Sequence, residues 1–355
     1  MGAQAMLNRF LGRFSEDIGI DLGTASTRLF VKDKGIVMNE PSIVSLNTRT
    51  NQIIAVGHTA RDMLGKTPPH IITTKPLQKG VISDFEVAEK MLKYFIDRIH
   101  EESYTIVPRP RVVIGVPLEI TEVERKAVED AVLSAGAREV RLVENALAGA
   151  IGARLPVSES IGSMLVDIGS GKTEIAVISL NGVVTWKSLG TAGEELTKNI
   201  IQYAREVFNL LVGERVAETI KHRIGSAVNQ DGIQEMEMRG RDLITGLPKE
   251  VIVNDGQIRE AMYRSVRYLI DNIKATLEVT PPELVADIYE RGIILTGGGS
   301  LLTGLDVLIA KEAEIPVRVA DDPTTCVVRG TGSLIDDAGL LKEVTLPSTS
   351  DESYS

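Results

Sequence analysis

Two acidic, glycine-containing turns are the parts of this 355-residue sequence whose residue types suit chemistry best. The first lies within Ile18–Val31, where an apolar segment ends at Asp21 and a turn at Gly23 and Thr24 leads into a second apolar segment. A glycine turn lets backbone N–H groups curl around an anion, and nearby hydroxyls add donors. A carboxylate beside the turn can hold hydrated Mg²⁺ against that anion. Taken alone, the pattern also fits an ordinary hairpin.

The same design recurs in Met164–Val177, where Asp167 follows Asp21 by 146 positions. An apolar segment again ends in Asp-x-Gly, passes a turn of small residues and resumes as an apolar segment. A long-range repeat of this kind predicts two related lobes. We expect each lobe to offer a phosphate-binding hairpin to one shared cleft, which would enclose a nucleotide polyphosphate and its metal ion.

Composition and motifs exclude several classes of function. The formal charge of −10 argues against a nucleic-acid partner, and the single cysteine, Cys326, excludes an internal disulfide. No apolar run reaches the roughly 18–20 residues that a membrane-spanning helix needs. Gly171–Thr173 resembles the end of a P-loop, but the required earlier glycine is Val166, inside a predicted strand.

Strands alternate with helices through both lobes, which predicts an α/β fold with largely parallel sheets. Apolar residues repeat at helical spacing in Asp84–Glu102, and Thr121 and Glu124 form a capping-box pattern before a second helix. Asp255–Glu278 is predicted as a further helix that ends before Pro281 and Pro282. We predict the following division of the chain: an amphipathic segment at 1–14, a first lobe at 15–155 with an insertion at about 36–80, a second lobe at 156–340 with an insertion at about 190–260, and a disordered tail at 341–355.

The first fourteen residues, Met1–Phe14, place four large apolar residues on one stripe of a helix and two arginines beside it. This segment either lies in a membrane interface with its arginines on anionic head groups, or packs on its own domain. Ile106 and Val107 lie in a loop between charged segments. They either tuck inward or add a second membrane contact.

A third glycine-rich turn, Gly297–Ser300, follows the apolar segment Gly292–Thr296. Glycines at the carboxyl end of a strand let a flat ligand lie against bare backbone, which suits an adenine ring. Together with two phosphate-binding hairpins, this turn predicts a site for an adenine nucleotide.

With these three turns, the chain resembles the actin, Hsp70 and sugar-kinase superfamily and, within it, the MreB family of bacterial actins. The segments that resemble this family are Ile20–Thr24, Lys34–Ser42, Gly80–Glu86, Thr280–Leu284 and Leu295–Ser300. The resemblance implies an actin-like ATPase fold with four subdomains around an ATP cleft. It also implies ATP-dependent assembly into double antiparallel filaments on the inner face of the cytoplasmic membrane. A role in rod shape follows, guiding cell-wall synthesis with RodZ- and MreC-type partners.

The resemblance also implies a role for each matching residue. Asp21 and Asp167 would support Mg²⁺. The phosphates would be wrapped by Thr24, Ala25, Ser26, Gly169, Ser170, Gly171, Lys172 and Thr173. The nucleoside would meet Glu218, Thr219, Ile220 and Lys221, and the adenine would lie on Gly297, Gly298, Gly299 and Ser300. Spacing alone instead favours a solvated i,i+3 ion pair for Glu218 and Lys221.

Two departures from the family pattern affect catalysis, for which the resemblance implies Asn145, Lys172 and Thr173. Asn145 stands where the family has a water-activating Glu, and an amide can orient a water but cannot accept its proton. Lys172 stands where the family has Thr beside the γ-phosphate, so it either stabilises charge during transfer or locks ATP in place. We expect tight MgATP binding with weak, slow ATPase activity coupled to polymerisation.

Two other functions remain open for this fold. A small-molecule kinase would use an Asp base in the cleft, but no additional sugar-binding segment is evident. A chaperone ATPase would need a peptide-binding domain, for which the chain ends too early.

Overall fold

The structure is a computed structural model that describes residues 16–101 and 109–347. The sequence expectations for Met1–Phe14, for Ile106 and Val107, and for the tail beyond residue 347 lie outside the described residues. No helix within the described ranges combines the length and the apolar character needed to cross a bilayer.

The described chain forms two compact units. The first comprises the described residues through Glu159, together with Leu180–Gly182 and the chain from Thr325 onward. The second comprises Ser160–Ser179 and Val183–Thr324. Each unit has its own hydrophobic core.

Strands in these ranges build the sheets of both units. They are β1 (Ile18–Leu22), β2 (Ser26–Val31), β3 (Gly35–Pro41), β4 (Val44–Asn47), β5 (Gln52–Val56), β6 (Ile71–Thr74), β7 (Leu77–Gln78), β8 (Val81–Ile82), β9 (Arg111–Val116), β10 (Glu139–Glu144), β11 (Ser163–Ile168), β12 (Thr173–Ser179), β13 (Gly182–Leu189), β14 (Leu210–Leu211), β15 (Glu235–Asp242), β16 (Pro248–Asn254), β17 (Ile293–Thr296) and β18 (Val317–Val319). The α-helices are His58–Met63, Phe85–Glu101, Glu122–Ser134, Asn145–Gly152, Gly193–Phe208, Glu214–Ile224, Asp255–Glu278, Pro282–Arg291, Leu305–Ala313, Cys326–Asp336 and Ala338–Val344.

The main sheets of the two units share one topology. In the first unit the order is β10-β9-β1-β2-β3, and in the second it is β18-β17-β11-β12-β13. In each, a hairpin pairs antiparallel within itself and parallel with the strand on its other side. The internal repeat predicted from the two acidic turns is therefore confirmed, although each sheet mixes parallel and antiparallel pairs.

The central strands explain where the acidic residues lie. β1 and β11 are buried except for their single Asp, which is only partly buried near the carboxyl end of each strand. Strands buried on both faces read as continuous apolar runs. One carboxylate interrupts both strands at the same place. It marks the carboxyl ends of these central strands as the part of each sheet where polar chemistry is possible.

Smaller sheets extend both units. β4, β5 and β6 form a three-stranded sheet in the first unit, and β14, β15 and β16 form one in the second. β15 and β16 pair antiparallel and lie within the insertion predicted at about 190–260. The capping box of Thr121 and Glu124 and the helix Asp255–Glu278 also agree with prediction.

The end of the chain differs from the predicted division. Cys326–Asp336 packs on Asn145–Gly152 and belongs to the first unit, not to the second lobe. A Cβ on Gly330 would overlap the Ala148 carbonyl, so the two helices touch through backbone. This contact joins residues far apart in sequence, and for that reason no local pattern revealed it.

The predicted disordered tail is partly helical. Ala338–Val344 forms a helix in which Leu341 and Val344 are buried. The Leu346 N–H then donates to the Leu142 carbonyl at 2.9 Å. The part of the predicted tail up to residue 347 contains three apolar residues, Leu341, Val344 and Leu346, and no serine, so it can pack on the first unit.

Replacing Gly330 with Ala should destabilise the first unit by about 3 kcal/mol, because the new methyl group must displace the Ala148 backbone. Gly190→Ala is the control, because no atom lies within 4 Å of its Cβ position. Urea unfolding monitored by circular dichroism measures both variants. Equal stability of the two variants would contradict the close helix contact.

Candidate functional site

The first hairpin places Asp21 opposite Arg28 in the antiparallel ladder of β1 and β2. Arg28 Nη1 donates to Asp21 Oδ2 at 3.1 Å. The Gly23 N–H donates to the Ser26 carbonyl at 3.2 Å and closes the turn. Burial raises the pKa of the Asp21 carboxyl, and the Arg28 guanidinium opposes that shift. Asp21 is thus one half of an ion pair at the carboxyl end of a buried strand.

Two hydrogen bonds from other segments of the chain fix this turn. Ser42 Oγ donates to the Gly23 carbonyl at 2.6 Å. The Gly80 N–H donates to Thr24 Oγ1 at 2.9 Å, which leaves the Thr24 hydroxyl proton able to donate to an anion. Ala25 is exposed to solvent. The turn is therefore held in shape by residues from two other segments.

The second hairpin has the same register. Asp167 faces Glu174 across the β11–β12 ladder, at the same spacing as Asp21 and Arg28. The Gly169 N–H donates to the Lys172 carbonyl at 3.0 Å. Lys172 therefore occupies the turn position that Ser26 holds in the first hairpin.

The rest of the second turn is anchored to the segment that leads into the next helix. The Glu194 N–H donates to the Ser170 carbonyl at 2.8 Å. Thr173 Oγ1 donates to the Thr191 carbonyl at 2.7 Å. Gly171 and Thr173 are buried. The backbone of this turn is thus fixed by partners outside the hairpin.

The glycine turn after β17 lies directly against the end of β11. Thr296 Oγ1 donates to Asp167 Oδ1 at 3.0 Å. Gly297 has a φ of +77°, and a Cβ there would overlap the Ile168 carbonyl and lie 2.6 Å from Asp167 Oδ1. A Cβ on Gly299 would overlap the Ile168 side chain. Both positions therefore require glycine for this close approach.

The outer side of the same turn is bare backbone. Gly298 is exposed, and no atom lies within 4 Å of its Cβ position. Ser300 is buried, and its Oγ donates to the Gly297 carbonyl at 2.6 Å. The turn is therefore rigid on one side and offers peptide groups on the other, as a flat ligand requires.

Lys221 connects its helix to the second hairpin. Its Nζ donates to the Gly193 carbonyl and to Thr197 Oγ1, both at 2.8 Å. The Gly193 N–H in turn donates to the Gly169 carbonyl at 3.1 Å. Burial lowers the pKa of the Lys221 ammonium, and the charge of Glu218 opposes that shift.

The neighbours of Lys221 on this helix are placed differently from it. Glu218 is exposed, and Thr219 Oγ1 donates to the Arg215 carbonyl at 2.8 Å. Ile220 is fully buried in the core, so its side chain supports the helix and is not offered to a ligand. Since Lys221 is buried as well, it is not the solvated partner of Glu218 that spacing alone favours.

Asn145 begins the helix after β10. β1, β9 and β10 are parallel, so Asn145 lies at the sheet edge that also holds Asp21. Asn145 Oδ1 is buried without a hydrogen-bond partner, and a Cβ on Gly115 would overlap it. An unsatisfied buried acceptor costs about 1–3 kcal/mol, which indicates a place for water or a polar ligand. Burial raises the pKa of the neighbouring Glu144 carboxyl.

The acidic residues suit a metal ion that arrives with a nucleotide. No group of three or more His, Cys, Asp or Glu in the described part of the chain is arranged to hold a metal ion. Mg²⁺ usually needs only one or two carboxylates when phosphate oxygens and water complete its shell. Asp21 and Asp167 each lie beside a glycine turn, and each could supply one such carboxylate.

Sequence reasoning missed three residues that shape the site. Arg28 follows from the hairpin register, because its spacing from Asp21 places it directly across the ladder. Gly193 is the first residue of a helix whose first turn carries two glutamates, a pattern that is visible in the sequence. Ser42 had no local signal, since it reaches a turn 19 residues earlier in the chain.

Comparison of the sequence with known proteins gives matches over nearly its whole length. The sequence model of the family described as MreB/Mbl protein matches residues 15–343. The cell shape-determining protein MreB of Escherichia coli is 49% identical over 335 residues, covering 93% of this chain and 96% of that protein. The cell shape-determining protein Mbl of Bacillus subtilis is 45% identical over 324 residues, covering 91% and 97%.

Solved structures match as well. MreB5 of Spiroplasma citri bound to AMPPNP has a TM-score of 0.87 at 34% identity, covering 93% of this chain and 98% of that chain. The MamK double helical filament has a TM-score of 0.76 at 21% identity, covering 91% and 99%, and at that identity it bears on the fold alone. The expected actin-like fold is confirmed.

Gly297→Ala should cost about 3 kcal/mol of stability, because the residue must keep a positive φ while its methyl group meets the Ile168 backbone. Gly298→Ala is the matched control and should cost less than about 0.5 kcal/mol, since its Cβ position is open. Thermal unfolding of both variants checks this. A smaller loss for Gly297→Ala than for Gly298→Ala would show that the turn does not lie against β11.

Proposed function

The chain belongs to the MreB/Mbl family, and from this premise we propose that it is an ATP-dependent, actin-like filament protein that determines cell shape. The observation that supports this most is the repeat of one hairpin, with the same register, turn hydrogen bond and sheet order, in both units. A relative with 34% identity binds AMPPNP in one solved structure and ADP in another. Both are adenine nucleotides, as the glycine turns predict.

In this proposal the second unit binds most of the nucleotide. The backbone of Gly169–Thr173 receives the phosphates, and Gly297–Ser300 backs the adenine. Hydrogen bonds run from Lys221 to Gly193 and from Gly193 to Gly169. They couple the position of the helix Glu214–Ile224 to the shape of the phosphate turn. Glu218 lies on the same helix, is exposed and is available to contact the ribose.

The first unit supplies the groups closest to the reaction. Thr24–Ser26 contributes to phosphate binding, and Asp21 offers a carboxylate that supports Mg²⁺, as Asp167 does in the second unit. Asn145 presents an amide oxygen that can orient a water molecule. Because an amide cannot take the proton of that water, hydrolysis is slow and nucleotide-bound filaments persist. Lys172 adds a positive charge next to the phosphates, which favours retention of ATP.

The proposal extends to the form of the filaments, their membrane contact and their role in the cell. The filaments are double and antiparallel and lie on the inner face of the cytoplasmic membrane. Met1–Phe14 and the pair Ile106 and Val107 contact anionic lipid. The filaments organise cell-wall synthesis in rod-shaped cells through RodZ- and MreC-type partners. No nucleic acid is involved, in keeping with the charge of −10.

Sedimentation with MgATP and anionic liposomes tests the function. We expect the protein to pellet with MgATP, and to pellet with anionic but not neutral liposomes. Leu11→Asp should abolish lipid binding and leave polymerisation intact, because a charge in the apolar stripe of Met1–Phe14 opposes interfacial insertion. Protein that stays in the supernatant at every concentration would instead indicate a monomeric kinase.

Asn145→Glu should raise single-turnover phosphate release about a hundredfold, because it supplies a general base at the position that now carries an amide. Asn145→Gln keeps an amide and is the control, with a rate close to that of the unchanged protein. Binding of a fluorescent ATP analogue shows whether each variant still holds nucleotide. Fast phosphate release by the unchanged protein would contradict the slow-hydrolysis proposal.

A further inference from the structure

Arg28 and Asp21 form an ion pair inside the turn region of the first hairpin. The N–O distance is 3.1 Å, and the two side chains are only 16% and 13% exposed. The pairing uses Asp21 Oδ2, whereas Asp21 Oδ1 is 3.8 Å from the Cβ position of Gly23. One carboxylate oxygen is therefore committed to the guanidinium, and the other is directed toward the phosphate-binding turn.

The second hairpin shows that the fold does not require a cation at this position. Glu174 occupies the place equivalent to Arg28, across the ladder from Asp167, and it is buried. Asp167 instead accepts a hydrogen bond from the neutral hydroxyl of Thr296. Two hairpins with the same register thus differ in charge at one matched position, because the residue across the ladder from Asp21 is a cation and the residue across from Asp167 is a carboxylate.

We infer that Arg28 supplies part of the charge neutralisation that a divalent cation would otherwise provide at Asp21, so that nucleotide binding by this chain depends only weakly on Mg²⁺. This inference rests on the proposed function. A triphosphate that approaches the turn without metal meets an Asp21 carboxylate whose charge is already offset by a fixed guanidinium. Arg suits this role because it stays ionised and its planar group holds a carboxylate in fixed geometry.

The consequence is a smaller difference between metal-free and metal-bound affinity. Without Arg28, the Asp21 carboxylate repels metal-free nucleotide, and Mg²⁺ must offset a larger part of that charge. Without Asp21, the released guanidinium attracts the phosphates directly. Removing either partner should therefore shift the metal dependence, and the two shifts should have opposite directions.

The test measures the dissociation constant of a fluorescent ATP analogue in saturating MgCl₂ and in EDTA. In Arg28→Met, the ratio of the EDTA value to the Mg²⁺ value should rise about tenfold over that of the unchanged protein, as expected for losing one close opposite charge. Arg111→Met is the matched control. It removes an ion pair of Asp17 at the other end of β1, with a distance of 2.8 Å, and its ratio should remain within about twofold.

Asp21→Asn provides a second measurement, which decides the matter if Arg28→Met does not fold. Its ratio should fall about tenfold below that of the unchanged protein, mainly through tighter metal-free binding. If Arg28→Met resembles Arg111→Met, or Asp21→Asn leaves the ratio unchanged, the inference is overturned while the proposed function stands. If the unchanged protein binds nucleotide in neither condition, both are overturned.

Discussion

The contact between the turn after β17 and the end of β11 is the constraint on which the second unit's site depends. Gly297 and Gly299 have no side chains, so their backbone reaches Ile168 directly. The ladder of β17 and β11 pairs Thr296 with Asp167, which accepts a hydrogen bond from the Thr296 hydroxyl, and the close approach of the glycines places bare peptide groups beside the phosphate turn. A single larger side chain at either glycine would separate segments that must act together.

The two hairpins share one backbone geometry but carry different charges at matched positions. Their registers, turn hydrogen bonds and neighbouring strands correspond. Their side chains do not: the first has Ser26 and Arg28 where the second has Lys172 and Glu174. The first hairpin therefore balances its charge within the ladder, whereas the second places its cation in the turn. Backbone geometry fixes where anions can bind, and these few side chains set the charge around them.

Much of this arrangement could be predicted from the sequence because its signals are local. Buried apolar strands that end in Asp-x-Gly, and a helix with apolar residues at regular spacing such as Phe85–Glu101, need only neighbouring residues to be recognised. The environment of Lys221 could not be predicted, because its partner Gly193 lies 28 residues away. The orphaned Asn145 oxygen and the helix contact at Gly330 likewise depend on packing between distant segments, for which one sequence has no signal.

The path of the chain through the two units has a consequence for biosynthesis. β1 is made early, but the residues that cover it, Thr331 and Gly332, are made late: a Cβ on Gly19 would lie 2.7 Å from Thr331 Oγ1 and 3.0 Å from the Gly332 nitrogen. The second unit is nearly continuous in sequence and can complete its core on the ribosome. The helices Phe85–Glu101 and Glu122–Ser134 share a core with the first unit's sheet, but the surface that Cys326–Asp336 covers stays open until that helix emerges. Nascent chains of this protein therefore pass through a long interval in which they are prone to aggregate and are natural clients for chaperones.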